Sequence, residues 1–163
     1  MSILFLMNFK FEQDITLENA RVKLSPIEDV DIFNLLPIAT SNTNLLQFSP
    51  TQTYNKVLLE KYILSAIQNR KNKIRYTFSV FDKSQTKYVG STSFLNISNT
   101  NDRLEIGATW YGKEFQGTGI NENCKYLLLQ YAFDGIGAER VEFKTDERNK
   151  ASRKAIEKNW RSI

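Results

Sequence analysis

Histidine is missing from this chain altogether, and cysteine occurs once, at Cys124. These scarcities remove whole classes of chemistry. A structural zinc site draws its ligands from Cys and His, and a Ser–His–Asp relay needs an imidazole, so neither can be built here. A lone thiol cannot close an intrachain disulfide, which favours a reducing compartment. A packed core must then hold the fold together unaided, and 163 residues suffice for that. No metal is expected. If the protein is an enzyme, its acid and base groups are Glu, Asp, Tyr, Ser, Lys or water.

Proline and glycine are also sparse, at three and seven residues, and nowhere gather into a linker. With no repeat or low-complexity tract either, the chain reads as one globular domain over 1–163. Long apolar runs are lacking. The opening "MSILFLMNFKFEQ" is too short to span a bilayer and has neither a basic leader nor a small-residue cleavage site. It reads as a terminal strand or a loosely held leader, and the expectation is a cytoplasmic protein with no membrane partner. Charge imbalance is small, with 22 basic against 18 acidic residues and a net +4. That describes a solvated surface and suits a small polyanionic ligand. It falls short of the basic stripe of a nucleic-acid binder, a role that only the basic balance and scattered aromatics would support.

What is present is a change of period along the chain. Residues 15–24, "ITLENARVKL", read as extended with a turn near Glu18–Asn19. "SPIEDVDIFNLLPIA" carries a helix-start pattern, with Ser25 as N-cap, Pro26 at the first helical position and Glu28 as capping-box partner. Pro37 closes that helix. Leu58, Leu59, Tyr62, Ile63 and Ile67 recur at helical spacing across 55–69. Alternation then takes over in "YTFSVF" and "YVGSTSFLNI", separated by the turn-rich "DKSQT", and again in "RLEIGATW". Ile120, Cys124, Leu127, Leu128, Tyr131 and Ala132 line one face of a further helix. "GIGAERVEFKT" gives a turn and a strand, and "ERNKASRKAIEKN" a last helix. The order β-α-α-β-β-β-α-β-α predicts an α/β fold, a mixed, mostly antiparallel sheet with helices on both faces.

Gly117 and Gly119, with only Thr118 between them, separate the third antiparallel strand from the helix expected to begin near 117–118. A tight turn is one reading. The other is an anion cradle: helix-start amides have no intrahelical partner, the helix dipole adds positive charge there, and glycines let a ligand approach the backbone. A diphosphate would fit. Two known cradles are excluded, because there is no GKS/T ending and because Glu122 breaks a G-x-G-x-x-G spacing.

The stretch "LEIGATWYGKEFQGTGINENCKYLLLQYAFDGIGAERVEFKTDERNKASRKAIEK" resembles the GNAT superfamily of N-acetyltransferases, in particular the Rim-type branch that acetylates protein N-termini and small amines. That family places Q/R-x-x-G-x-G/A between a strand and a helix. Gln116, Gly119 and Asn121 occupy its positions, Asn121 departing from the final Gly or Ala, and Asn149 with Ser152 match the N-x-x-S that opens the next helix. The resemblance covers about residues 15–158 and is strongest from 104 onward.

It implies acetyl-CoA as acyl donor, lying where the strand at 103–110 parts from that at 140–145, and a primary amine as acceptor. Backbone groups of Ile106, Gly107 and Ala108 would pair with the pantetheine arm, one N–H also polarising the thioester carbonyl. Amides from Gln116 through Gly117, Thr118, Gly119 and Ile120 to Asn121 would hold the diphosphate, and the Asn149 side chain would contact the arm beyond it. Glu105 is the candidate base, equally readable as a strand Glu facing solvent or paired with a neighbouring Lys. Most members protonate the leaving thiolate with a Tyr, here Ile156. The candidate acid is therefore Ser152, otherwise a helix-surface hydroxyl. Cys124 reads as buried filler, and Trp110 and Tyr111 as pocket wall or core. Members also continue past "IEK" with a Gly-Phe turn and two further strands, whereas "IEKNWRSI" carries Asn159 at that Gly. The sheet is therefore expected to lack its last two strands and to present an edge that a partner chain or a homodimer covers. The alternative to an enzyme is a GNAT-fold module that binds CoA or a protein without turnover.

Overall fold

The computed structural model describes residues 6–160. In chain order the elements are β1 (Leu17–Glu18), β2 (Val22–Pro26), α1 (Asp31–Ala39), α2 (Lys56–Lys71), β3 (Tyr76–Asp82), β4 (Lys87–Ser98), β5 (Arg103–Tyr111), α3 (Ile120–Gln130), β6 (Arg140–Glu142) and α4 (Lys150–Trp160). A short 3-10 turn (Lys113–Phe115) precedes α3 and a π turn (Tyr131–Gly135) follows it. The strands form one six-stranded sheet in sequence order, antiparallel except for the last pair, β5 and β6, which run parallel. This is the mixed α/β architecture that the alternation and helical spacings predict.

The sheet is covered on both faces, so β3 is buried nearly throughout and β4 over its middle six residues. One face is aromatic. Tyr76, Phe78 and Phe94 pack with Phe9 and, beyond α3, with Tyr131. The other face is lined by small hydroxyls beneath α1 and α2. Ser91 and Tyr62 share a hydrogen bond of 3.1 Å, and Thr77 and Ser93 one of 2.9 Å, which removes the cost of burying these polar groups.

Two local expectations fail, the first of them because of tertiary pairing. Ser25 and Pro26 do not cap a helix. They are the last residues of β2, opposite Ser79 and Phe78, and the Ile27 N–H extends the ladder to the Thr77 carbonyl at 3.0 Å. Sheet pairing outcompetes the local cap. The Glu28 N–H instead donates to Asp31 Oδ2 at 2.9 Å, and α1 starts at Asp31 with no side-chain cap. Nor does Pro37 end that helix, which continues to Ala39 before the Thr40 N–H closes on the Leu36 carbonyl. By contrast Asn55 caps α2, its side chain accepting from the Leu58 N–H at 2.9 Å.

The opening segment was expected to be a strand or a leader. Residues 1–5 lie outside the described residues, as do 161–163 at the other end. From residue 6 to 16 the chain is irregular, yet Met7 and Phe9 belong to the core. Loop carboxylate and amide groups hold this segment in place. The Met7 N–H donates to Asp102 Oδ1 at 2.7 Å, the Phe9 N–H to Asn99 Oδ1 at 2.8 Å, and the Asn8 N–H to the Ile136 carbonyl at 3.0 Å.

Gly90 on β4 shows how closely the meander is packed. A Cβ there would sit 2.0 Å from the Trp110 carbonyl oxygen and 2.9 Å from Tyr111 Cα, both backbone atoms that cannot turn aside. Gly90→Ala is expected to cost about 3 kcal/mol of stability by forcing β4 from β5. Urea denaturation checks this through a lower midpoint at unchanged m-value.

Candidate functional site

The site is built around β5, which has different neighbours on its two sides. Toward β6 it is paired only at Arg103, Leu104 and Glu105, opposite Arg140, Val141 and Glu142. Then β6 ends, although the sequence suggested a strand to 145, while β5 runs on to Tyr111. Toward β4 the register slips between Ser91 and Ser93, so that Ala108 and Thr109 together face Thr92. Ala108 takes the left-handed conformation, φ +47°. That costs about 1–2 kcal/mol for a residue with a Cβ, and a bulge of this kind bends and twists its strand. From Ile106 to Ala108, β5 thus leaves β6 with one edge of its backbone unpaired by any strand among the described residues. The strands part at the place expected for the pantetheine arm.

From Tyr111 the chain passes through the 3-10 turn to Gln116 and the paired glycines. Gly117 has φ +71° and Gly119, the N-cap of α3, has φ +90°. The helix therefore begins at Ile120, slightly later than expected. The amides of Gly117, Thr118, Gly119, Ile120 and Asn121 donate to no acceptor among the described residues. Gln116 is the exception, its N–H bound to the Lys113 carbonyl at 3.3 Å, so this member of the expected amide set is already engaged. Side chains brace the turn from within. Thr118 Oγ1 donates to the Phe115 carbonyl at 2.6 Å, and Gln116 Nε2 to the Tyr111 carbonyl at 3.1 Å. A Cβ on Gly117 would meet nothing within 4 Å. Free N–H groups, a helix start and open space are the features a doubly anionic group would require of its seat. Glu122, in the first turn of α3, would oppose an anion, but Lys158 of α4 pairs with it.

Glu105 sits at the mouth of the parting and is only 6% exposed. Asn96 Nδ2 donates to its Oε2 at 2.6 Å, and Lys144, just past β6, lies 3.3 Å from the same oxygen. It does not face solvent, and it is paired with a lysine. Oε1 is left without a hydrogen bond among the described residues and lies 3.3 Å from where a Cβ on Gly107 would be. The carboxylate thus presents one idle oxygen beside the unpaired stretch of β5.

Ser152 is half-buried in the first turn of α4. Its N–H donates to Asn149 Oδ1 at 3.0 Å, and its hydroxyl has no partner among the described residues. Asn149 is therefore the cap of α4, and only its Nδ2 stays available to anything else. Ile156 is half-buried on the same helix. The structure gives no contact joining Ser152 to Glu105. Cys124 is fully buried, and burial pushes its thiol up to about 11, which removes it as a nucleophile. Trp110 and Tyr111 are core residues.

Three participants escaped the sequence reading. Asn96 and Lys144 reach Glu105 only through the hairpin fold and the parallel pairing. Lys125, on which the sequence reading was silent, is buried, its Nζ donating to Thr109 Oγ1 at 2.9 Å. Its one sequence signal is its place directly after Cys124, beside the apolar stripe of α3.

Comparison with known proteins adds to this geometry. A family profile described as an acetyltransferase (GNAT) domain matches residues 21–159. No curated protein sequence matches. Among solved structures, a GCN5-related N-acetyltransferase from Brucella melitensis superposes with TM-score 0.78 at 24% identity, over 91% of this chain and 67% of that one. RimL, described as a ribosomal L7/L12 alpha-N-protein acetyltransferase, gives 0.75 at 22%, over 94% and 84%. A ribosomal-protein-S5-alanine acetyltransferase from Vibrio fischeri gives 0.67 at 19%, over 90% and 82%. At these identities the likeness is one of fold. Among the described residues no cluster suited to a metal ion occurs, and no helix is long and apolar enough to cross a membrane.

Proposed function

The chain belongs to the GNAT acetyltransferase family, and on that premise we propose that it is an N-acetyltransferase of the Rim type, moving an acetyl group from acetyl-CoA to a primary amine. Acetyl-CoA is the acyl donor of the family. The observation that carries the reading is the run of unengaged amides from Gly117 to Asn121, next to a strand that has parted from its neighbour. Those amides would hold the diphosphate, and backbone groups of Ile106, Gly107 and Ala108 would hold the arm. The bound donor supplies an acetyl group already activated as a thioester.

This chain's residues would do the rest. An amine attacks only when neutral, and most amines are protonated near pH 7, so a base must take up a proton. Glu105 Oε1 would take that role, directly or through water, and the reading is supported by Asn96 and Lys144, which hold the carboxylate by its other oxygen. A backbone N–H of unpaired β5 would donate to the carbonyl oxygen as negative charge gathers there. The Ser152 hydroxyl would return a proton to the departing sulfur. Acceptors in keeping with this are protein N-termini, amino sugars, polyamines and amine antibiotics. We assign the protein to the cytoplasm, and a homodimer would cover the outer edge of β6.

Melting the protein with and without acetyl-CoA tests the donor half. A ligand at about 100 times its Kd adds roughly 2.7 kcal/mol, so the transition should rise by several degrees, and no rise would sink the proposal. Thiol release with the panel of amines tests the other half. Donor binding without release by any amine would favour the non-catalytic module.

A further inference from the structure

Lys125 stands apart from the other polar residues of α3. It is 6% exposed, yet no carboxylate among the described residues pairs with it. The ammonium donates to Thr109 Oγ1 at 2.9 Å and lies 5.8 Å from the centroid of the Phe143 ring. Thr109 is the residue of β5 just past the strained Ala108, and Phe143 is the first residue beyond β6. The charge therefore sits where the two strands part. Thr109 can satisfy only one of its three N–H donors, and the Thr109 hydroxyl is also shared with Thr92 at 2.8 Å. A buried cation with so little compensation is costly, and burial accordingly pulls its pKa down to about 8.

A second idle group lies one helical turn earlier. Asn121 Oδ1 is buried and accepts no hydrogen bond. Residues four apart share a helix face, with Cβ atoms about 5–6 Å apart. The same side of α3 thus holds an acceptor and a donor, each buried, neither matched to the other. A secondary amide would satisfy both. Its carbonyl oxygen takes an N–H from the ammonium, and its N–H gives to the carboxamide oxygen. The arm of CoA contains such amides.

We infer that Asn121 and Lys125 form a subsite on α3 for an amide in the arm of the acyl donor, Lys125 donating to its oxygen and Asn121 accepting from its nitrogen. This rests on the proposed function. Here β5 meets the arm through backbone and α3 meets it through side chains, so the arm is held from two sides.

The test compares two ligands by calorimetry: CoA, and its nucleotide half alone, adenosine 3′-phosphate 5′-diphosphate, which lacks the arm. Lys125→Met is expected to weaken CoA binding about tenfold while leaving the nucleotide half unaffected, and Asn121→Ala, which keeps the N–H of the diphosphate seat, to weaken CoA markedly more than the nucleotide half. Neither should lower the melting temperature of the ligand-free protein, since each removes a buried group that lacks a full set of partners. Two variants acting independently guard against one of them misfolding. Unchanged CoA affinity in both overturns the inference, and so does equal weakening of CoA and the nucleotide half. A wild-type protein that binds neither ligand brings down the proposed function itself, a result distinct from either of those.

Discussion

Glu105→Gln is expected to lower kcat by about 10²-fold or more, with the affinity for acetyl-CoA altered by no more than about twofold. The substitution keeps the shape of the side chain and an oxygen able to accept from Asn96 Nδ2. Lys144, the group that would lose its counter-charge, is largely exposed and also lies 3.7 Å from Glu142. The fold should therefore tolerate the change, and what disappears is the basicity of the idle oxygen beside Gly107. Ser152→Ala is expected to cost less, about tenfold in kcat, because water can reach a half-buried position at a helix start and deliver the proton instead. Steady-state kinetics on the best acceptor, with calorimetry for the donor, separates the two parameters. Turnover unchanged in both variants would remove these residues from the mechanism while leaving the donor site standing.

Gly117→Val addresses the donor site directly, and its expected effect is a loss of acetyl-CoA affinity of about 100-fold. The branch point of the new side chain stands in open space, because a Cβ at 117 has no neighbour within 4 Å. The conformational penalty of a positive φ is about 1–2 kcal/mol, which for a chain of this size lowers Tm by only a few degrees. A diphosphate drawn onto the neighbouring amides would meet the new methyl groups, and the backbone would tend to rotate its N–H vectors out of convergence. Calorimetric titration reads the affinity and a thermal scan the stability. A valine variant that binds acetyl-CoA as tightly as the wild type would move the diphosphate away from this turn.

Much of this architecture could be read from the residues because it is local. The meander follows from the alternation in 76–81 and 88–97, α2 from its helical spacing, and the glycine turn from Gly117 and Gly119. Several of the failures involve partners remote in sequence. Ser25 and Pro26 carry a good helix-start pattern, but β3, more than fifty residues away, claims them for the sheet. Met7 and Phe9 are held in the core by Asp102 and Asn99, about ninety residues on. Nothing in "IGATW" announces that Ala108 adopts a positive φ, since the bulge is imposed by the register against β4. Nor does "NENCKY" reveal a buried lysine, because burial there depends on Phe143 and Thr109 closing over α3. The candidate site was legible where main-chain geometry makes it and hidden where side chains from separate elements complete it.

One edge of β5 is locked into the meander, and the other, past Glu105, is bare main chain. What that bare edge offers a visitor is peptide, and every residue type except proline carries the same N–H and carbonyl. If an extended guest binds here as proposed, mutation can rewrite much of this strand's lettering while leaving the grip unaltered. Distant cousins would then need to share little spelling to keep the same handhold, and selection would be free to vary the side chains that choose who receives the cargo.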